Sequence, residues 1–347
     1  MDQPPPLTSN GPVPKRTGWI VYAIIATFFL CLSLLANVGL FSAMVVTDGT
    51  GVGEARRTRF EEQFLQGDTD TKDKIAVVYL AGVISSASDG ALSEEGLVGD
   101  IRNQLNQAVE DKHVKAIILR INSPGGEVVA SDAIYQAVAQ ARDDKPVVAS
   151  MESVGASGGY YAALGATRIM ATDLTITGSI GVILQSYSFG VLMDKVGVKS
   201  HTFKSGRYKD VLNPTREPTA QEKEMVQTLI MEVYDKFVGI VAKERHMKVD
   251  TLKTGLADGR ILSGKQAREG GFIDDLGGFD EAIEKAMELG KVRKARVVTY
   301  RPRFSLRQLF RIFGKSDQAR IQIQLSTPVT PKLEAGKLYY LPAYMFQ

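Results

Sequence analysis

Ser157 is the residue of this chain best suited to nucleophilic chemistry, because it lies in a turn made of small residues. The turn reads Gly-Ala-Ser-Gly-Gly-Tyr-Tyr over residues 155–161 and directly follows an apolar, strand-like run. Small neighbours leave a serine hydroxyl clear for attack on a carbonyl carbon. The positions of Gly155, Ser157 and Gly159 also match the Gly-x-Ser-x-Gly pattern of α/β-hydrolase nucleophiles. The base that activates this hydroxyl therefore decides the reaction class.

Histidine is a poor candidate for that base. The chain has three histidines, and an α/β-hydrolase needs an acid and then a histidine after the serine. His246 lies near the end of a long, charged, helix-like segment, and His201 lies in a strand-like stretch over residues 199–204. His113 precedes the serine and follows a charged helix end, which is typical of an exposed side chain.

Lysine is the better candidate, and Lys209 in Ser-Gly-Arg-Tyr-Lys-Asp (205–210) has a suitable local sequence. An ordinary lysine has a pKa near about 10.4 and is protonated at neutral pH. Burial disfavours the charged form, so a buried lysine can become a neutral amine that accepts the serine proton. Lys204 is close enough to compete, and on spacing alone a lysine is more often a solvated surface charge than a base.

Two further glycine-rich turns offer supporting groups. Asn-Ser-Pro-Gly-Gly at residues 122–126 follows an apolar run, and its glycines allow backbone N–H groups to approach a ligand closely. Such donors would form an oxyanion hole, although Pro-Gly-Gly is also an ordinary turn. In Thr-Gly-Ser-Ile-Gly (177–181), the Ser179 hydroxyl would orient the lysine amine or satisfy its own turn.

The elements that must position these turns alternate between strand-like and helix-like patterns. This alternation predicts an α/β fold with a mainly parallel sheet and flanking helices. A capping box at Thr219–Glu222 predicts the start of a long helix. The strand-like runs are 75–80, 116–119 and 146–151, and the helix-like segments are 97–109, 130–141, 161–165 and 279–289.

Composition excludes several function classes. The net charge of +3 is too small to indicate nucleic acid as a partner. The one cysteine, Cys31, excludes an intrachain disulfide framework and a cysteine-cluster metal site. We therefore predict a chain that uses no metal and no cofactor.

Residues 19–46 carry no charge and predict one transmembrane helix, because about 20 apolar residues cross a bilayer. A cleavable signal peptide has a shorter apolar core of about 7–15 residues, although residues 41–43 offer a weak cleavage site. Basic residues flank both ends of the segment, so charge leaves its orientation open. The flanking residues are Lys15, Arg16, Arg56, Arg57 and Arg59.

Five segments are predicted along the chain. Residues 1–18 form a disordered, proline-rich tail, 19–46 an anchor, and 47–74 a stalk with a short helix around 56–65. Residues 75–290 form the catalytic domain, and 291–347 form a basic extension. In that extension Arg303, Arg307, Arg311 and Lys315 follow helical spacing, which predicts an amphipathic helix packed on protein or on an anionic membrane.

Taken together, these motifs resemble the signal peptide peptidase A family of membrane-anchored serine peptidases. The resemblance covers residues 75–289 and rests on several motifs in a fixed order. They are Asn-Ser-Pro-Gly-Gly (122–126), Ala-Ser-Gly-Gly-Tyr-Tyr (156–161), Thr-Gly-Ser-Ile-Gly-Val (177–182), Ser-Gly-Arg-Tyr-Lys-Asp (205–210), Ala-Asp-Gly-Arg-Ile-Leu-Ser-Gly-Lys-Gln-Ala (257–267) and Gly-Gly-Phe-Ile-Asp-Asp-Leu-Gly (270–277).

The resemblance implies a ClpP/crotonase-like fold and a Ser/Lys dyad. In this reading Ser157 is the nucleophile, Lys209 is the general base, and Ser179 helps to position the lysine. Backbone N–H groups of the oxyanion hole would come from Gly125 or Gly126 and from Gly158. The substrates would be released signal peptides and other unfolded polypeptides, hydrolysed through an acyl-enzyme.

The resemblance also implies an assembly and a location. The short, single-copy form of the family assembles as a homo-oligomeric ring in which neighbouring subunits supply the serine and the lysine of one site. The chain would cross the cytoplasmic (inner) membrane once, with its catalytic domain on the extracytoplasmic side. Two alternatives share the fold: a crotonase-type acyl-CoA enzyme and a non-catalytic assembly scaffold. An intact serine and lysine do not favour the scaffold.

Overall fold

Residues 17–50, 60–86, 96–302 and 338–340 are described by the computed structural model of the chain. The chain divides into two compact units, Met1–Thr58 and Arg59–Gln347. The first unit contains helix α1 (Thr17–Thr50). Its stretch Trp19–Leu40 is 22 residues long with a mean hydropathy of 2.4, and is the one helix in the described residues that is long and apolar enough to cross a membrane.

The second unit is built on ten strands with eight helices in its described residues. The strands are β1 (Phe60–Gly67), β2 (Lys74–Ile84), β3 (Val114–Glu127), β4 (Val147–Gly155), β5 (Arg168–Ala171), β6 (Ile176–Gly178), β7 (Ile261–Ser263), β8 (Asp275–Leu276), β9 (Arg296–Pro302) and β10 (Tyr339–Tyr340). The helices are α2 (Gly96–Glu110), α3 (Val128–Asp144), α4 (Gly158–Ala163), α5 (Gly190–Lys195), α6 (Ala220–Arg245), α7 (Val249–Thr254), α8 (Gly264–Glu269) and α9 (Phe279–Leu289).

The centre of the sheet is parallel. Its order is β1-β9-β2-β3-β4-β5-β8, with β2 to β5, β8 and β9 parallel to their neighbours and β1 antiparallel to β9. Strand β6 pairs with β4 at its end, and β7 pairs antiparallel with β6. The carboxyl ends of β3 and β4 therefore lie at one edge of the sheet, where sites of parallel α/β sheets are usually built.

The core lies on both faces of the sheet, because successive side chains of a strand point to opposite faces. In β3, Ile117 and Leu119 pack in the cluster that includes residues of α2, α3 and α4. Ile118 packs in the second cluster, which includes Ala282 and Ala286 of α9. The sheet is thus covered by helices on both faces, as predicted from the alternation of patterns.

Most predicted elements are present, and their local signals explain why. The runs 75–80 and 116–119 lie within β2 and β3, the run 146–151 begins one residue before β4, and α9 has the predicted bounds. The capping box at the start of α6 is formed in full. The Glu222 amide donates to the Thr219 hydroxyl at 3.3 Å, and the Thr219 amide donates to the Glu222 carboxylate at 2.8 Å.

Two local predictions are wrong. The predicted helix around 56–65 is absent where the structure describes that stretch, because β1 pairs with β9 there, and long-range pairing overrides local preference. The predicted strand at 199–204 is irregular and exposed, with Phe203 97% accessible. Strands β1 and β9 of the sheet lie in the segments predicted from the sequence to be the stalk and the basic extension. The predicted tail helix at 303–315 and residues 1–16 lie outside the described residues.

Candidate active site

Ser157 occupies a strained turn between β4 and α4. Its backbone has φ 51° and ψ −113°, a conformation that a residue with a side chain seldom adopts. The Ser157 amide donates to the Gly178 carbonyl at 2.8 Å, and its carbonyl accepts from the Tyr161 amide at 2.8 Å. Such strain persists only where the surrounding structure fixes it, and it clusters at functional sites.

The Ser157 side chain is buried, and its Oγ has no hydrogen-bond partner among the described residues. A buried hydroxyl without a partner loses its hydrogen bonds to water and gains none in the protein, which costs free energy. Native proteins rarely keep such a group without a use for it. The hydroxyl is therefore free to bond a group that the isolated chain does not supply.

The turn of residues 122–126 is fastened to the serine turn by Ser123. The Ala156 amide donates to the Ser123 carbonyl at 3.1 Å, and Ser123 is the register partner of Gly155. The Ser123 hydroxyl donates to the Gly82 carbonyl at 2.6 Å and accepts from the Gly125 amide at 3.1 Å. The Gly125 N–H is consequently already bonded, which leaves Gly126 and Gly158 as the freer candidates for an oxyanion hole.

Backbone atoms of these two turns approach each other closely, and only glycine permits it. Gly125 has φ +106°, and a Cβ on it would collide with the Tyr340 carbonyl oxygen and lie 2.6 Å from the Gly158 nitrogen. A Cβ on Gly158 would collide with the Ser131 hydroxyl and lie 3.0 Å from the Gly126 nitrogen. The amides of Gly126 and Gly158 are thus brought together beside Ser157.

A segment from the far end of the chain lies along this site as an added strand. Strand β10 is antiparallel to the end of β3, with Tyr340 opposite Gly126. The Val128 amide donates to the Leu338 carbonyl at 3.2 Å. Hydrogen-bonded pairs recur at every second residue of an antiparallel ladder, so the Gly126 amide faces the Tyr340 carbonyl.

The opposite edge of β10 is also bonded. Ile183 and Tyr339 exchange two backbone hydrogen bonds, of 3.1 and 3.3 Å. The segment therefore lies in a groove between the end of β3 and Ile183, and main-chain groups on both walls of the groove bond it.

The Tyr340 side chain fills an aromatic pocket at this groove. It is fully buried, with its ring centroid 5.1 Å from that of Tyr161 and 4.8 Å from that of Phe237. The Tyr161 hydroxyl donates to Asp132 at 2.7 Å, and burial together with this carboxylate raises the pKa of Tyr161 above its usual range. The pocket is therefore uncharged and suits a large apolar side chain. Sequence reasoning missed Tyr340, and its only signal was the aromatic, apolar run after residue 337.

Ser179 lies close to Ser157, whereas Lys209 does not contact it. Ser179 directly follows Gly178, which bonds the Ser157 amide, and it is 5% exposed with φ 50°. Lys209 lies in an exposed turn, in which the Lys209 amide donates to the Gly206 carbonyl at 3.1 Å. Because the Ser157 Oγ has no partner in the described chain, Lys209 is outside hydrogen-bond distance of it.

The structure thus brings together Ser157, Ser179, Gly125, Gly126 and Gly158, and leaves Lys209 on a separate loop. Within the described residues, no group of three or more histidine, cysteine, aspartate or glutamate side chains is placed to hold a metal ion.

Two family models match this region of the chain. The Clp protease model matches residues 90–177, and the Peptidase family S49 model matches residues 139–293. The parallel sheet with helices on both faces is accordingly a ClpP-like fold, and the chain is a serine peptidase.

Similar proteins identify the family. An Enterococcus faecium protein named "Putative signal peptide peptidase SppA" is 37% identical over 243 residues, which cover 69% of this chain and 70% of that protein. "Serine protease SPPA, chloroplastic" of Arabidopsis thaliana is 35% identical over 258 residues, or 72% of this chain and 38% of that one. "Protease 4" of Salmonella typhi is 35% identical over 247 residues, which cover 69% of this chain and 38% of that protein. The chain belongs to peptidase family S49, the signal peptide peptidase A family.

Strain at Ser157 can be measured without an activity assay. Glycine tolerates φ 51°, so Ser157→Gly should relieve strain of roughly 1–3 kcal/mol, partly offset by about 0.4–1 kcal/mol of extra entropy in the unfolded chain. Relative to Ser157→Ala, which lacks the hydroxyl but keeps the strain, we expect Ser157→Gly to be more stable by about 1 kcal/mol. Urea unfolding of both variants in detergent checks this, and a Ser157→Gly variant less stable than Ser157→Ala by about 0.4–1 kcal/mol would show that the turn is unstrained.

Proposed function

We propose that this chain is a membrane-anchored serine endopeptidase that hydrolyses extended polypeptides, including released signal peptides, through an acyl-enzyme on Ser157. The observation that carries the proposal is the position of β10. An extended segment pairs with the end of β3 and presents its Tyr340 carbonyl to the Gly126 amide, in the turn that packs against Ser157. A substrate strand in the same groove would present its own carbonyl there, which is recognition by strand addition.

The residues then take the following roles. The Ser157 Oγ attacks the substrate carbonyl carbon while the neutral Lys209 amine accepts the hydroxyl proton. The amides of Gly126 and Gly158 stabilise the oxyanion of the tetrahedral intermediate, and Ser179 orients the lysine. Lys209 returns the proton to the leaving amine, and a water molecule then hydrolyses the acyl-enzyme to release the second product and the free serine.

The groove supports unfolded, apolar peptides as the substrate class. Main-chain hydrogen bonds recognise any extended chain, so they select for an unfolded backbone rather than a sequence. The pocket of Tyr161 and Phe237 adds a preference for a large apolar or aromatic side chain. Signal peptides are apolar and, once released, are not folded, so they satisfy both conditions.

Assembly would complete the site. The isolated chain leaves the Ser157 hydroxyl unpaired and Lys209 exposed to solvent. Large apolar side chains are also exposed near the lysine in sequence, among them Phe203, Met225 and Leu229, and contiguous exposed apolar surface is typical of interfaces. We therefore propose a homo-oligomeric ring in which Lys209 of one subunit meets Ser157 of the next.

Substitution tests the dyad. We expect Ser157→Ala and Lys209→Ala each to lower kcat for an apolar peptide by at least about 10³-fold, because each removes an atom that must transfer a proton or form a bond. Lys199→Ala is the matched control, since Lys199 is another exposed lysine of the same irregular segment. A Lys209→Ala enzyme with full activity and an unchanged circular dichroism spectrum would rule out Lys209 as the base.

Mixing the two inactive variants tests assembly across subunits. A mixed ring contains some interfaces with an intact Ser157 and an intact Lys209, so mixing Ser157→Ala with Lys209→Ala under subunit exchange should restore part of the activity. Fluorescence energy transfer between labelled subunits confirms exchange. Exchange without recovered activity would place both residues of a site in one chain.

The apolar helix supports anchoring in a membrane. From the family resemblance we propose that this is the cytoplasmic membrane, with the peptidase unit on its outer side. Removal of residues 1–46 should move the protein from the membrane fraction to the soluble fraction, because the stretch Trp19–Leu40 lies within them. Protease added outside spheroplasts should digest the peptidase unit of the full-length chain. If the peptidase unit is digested only after the membrane is lysed, the orientation is the opposite of the one proposed. If the shortened chain still sediments with the membrane fraction, residues other than 1–46 bind the membrane.

A further inference from the structure

Lys209 lies in a long segment without regular structure, yet ion pairs fix the residues around it. No helix or strand is present from residue 196 to residue 219. We propose that Arg216 is the positioning residue of the general base, and that it holds the Lys209 loop to the start of α6 by binding Asp210 and Glu222 together. The inference rests on the role proposed above for Lys209.

The first half of the link fixes the backbone beside the lysine. The Arg216 Nε donates to Asp210 Oδ2 at 3.0 Å, and its Nη2 lies 3.0 Å from Oδ1 and donates to the Asp210 carbonyl at 3.2 Å. Lys204 Nζ bonds the same carboxylate at 2.5 Å. Because Asp210 directly follows Lys209, these contacts restrict the main chain that carries the base.

The second half of the link ends on a rigid helix. The Arg216 Nη1 and Nη2 donate to Glu222 Oε2 and Oε1 at 2.8 and 2.5 Å. Glu222 is 3% exposed and also accepts from the Thr219 amide in the capping box of α6. Helix α6 is itself fixed in the core by Phe237, Val238 and Val241, which are fully buried. The loop is thereby tied to an element that packs in the core of the unit.

The chemistry of this link requires arginine. A planar guanidinium can bond two carboxylates at once through separate N–H groups, whereas a lysine ammonium is a single point charge. Arg216 also donates to the Glu217 carbonyl at 3.2 Å. One side chain therefore joins four points of the chain, and Arg216→Lys would keep the charge but lose most of these bonds.

The link stays charged throughout the neutral range. Hydrogen bonds from Arg216 and, to a smaller extent, from the Thr219 amide lower the pKa of Glu222 from 4.5 to about 2. Hydrogen bonds from Arg216 and, to a smaller extent, from Lys204 lower the pKa of Asp210. A carboxylate with a depressed pKa stabilises the fold above its ordinary pKa and loses that contribution as the pH falls towards the folded value. Acid below about pH 4.5 would weaken the link, and neutral pH leaves it intact.

Loss of the link should affect catalysis more than substrate binding. Small displacements of a catalytic group, of the order of 1 Å, cost roughly 10²-fold in rate. The groove is formed by the end of β3 and Ile183 and does not include this loop. A loosened Lys209 would spend less time in the position from which its amine can accept the serine proton, and this lowers kcat.

The experiment uses full-length protein in detergent and compares Arg216→Ala with Arg216→Lys. We expect Arg216→Ala to lower kcat by about 10- to 100-fold, with KM within about twofold. Arg216→Lys should retain more activity than Arg216→Ala. Glu222→Gln is a second variant. We expect it to lower kcat less than Arg216→Ala does, because the glutamine amide oxygen can still cap α6.

Arg245→Ala is the matched control. Arg245 binds both oxygens of Asp274, at 3.1 and 3.0 Å, and donates to the Gly271 carbonyl at 2.9 Å, so it resembles Arg216 in its bonds but lies at the other end of α6. Its loss should lower the unfolding temperature and leave kcat unchanged.

Two results would overturn the inference while leaving the dyad in place. One is a wild-type kcat in Arg216→Ala beside an inactive Lys209→Ala. The other is a loss of activity in Arg216→Ala that light scattering shows to follow dissociation of the assembly. Full activity in Lys209→Ala would instead refute the proposed function itself, whatever Arg216→Ala does.

Discussion

The hydrogen bond from the Ser157 amide to the Gly178 carbonyl is the constraint on which the site depends. It holds a serine in a backbone conformation that glycine would adopt more readily. The bond is possible only because β4 and β6 end side by side, at the edge where β3 also ends. The fold therefore sets the geometry of the nucleophile through strand ends, and few side chains are needed.

The proposed substrate recognition would share that economy. Beyond its pairing with β4, the end of β3 bonds β10 through its main chain. Bare strand edges bind extended chains readily, so a peptidase that uses such an edge accepts many sequences. Selectivity would then depend on the pocket of Tyr161 and Phe237. A backbone-reading groove with one apolar pocket fits degradation of unfolded peptides better than processing at one defined sequence.

Local signals in the sequence predicted much of this fold, but they could not predict which strands pair when those strands are far apart in the chain. The capping box of Thr219 and Glu222 depends on residues three apart, and the serine turn on seven consecutive residues. By contrast, β1 is a strand because β9 lies beside it, more than 200 positions away in the chain. No motif around Tyr340 indicates that it pairs with Gly126. Residues 199–204 have a strand-like pattern but form no strand, because no neighbouring strand in the described part of the chain pairs with them. Ser179 was predicted as a partner of Lys209, and its position beside Ser157 depends on the pairing of β6 with β4, which the sequence did not predict.

The two halves of the proposed dyad are held by different physical means. Ser157 is fixed by backbone bonds within the sheet, whereas the loop of Lys209 is fixed by Arg216 and its carboxylates. Backbone bonds place an atom within a rigid frame, but side-chain ion pairs can hold a loop at a surface, where a neighbouring subunit can meet it. A peptidase whose base stands outside its own sheet would be inert as a single chain. Separating the serine from the lysine would thus confine hydrolysis to the assembled form.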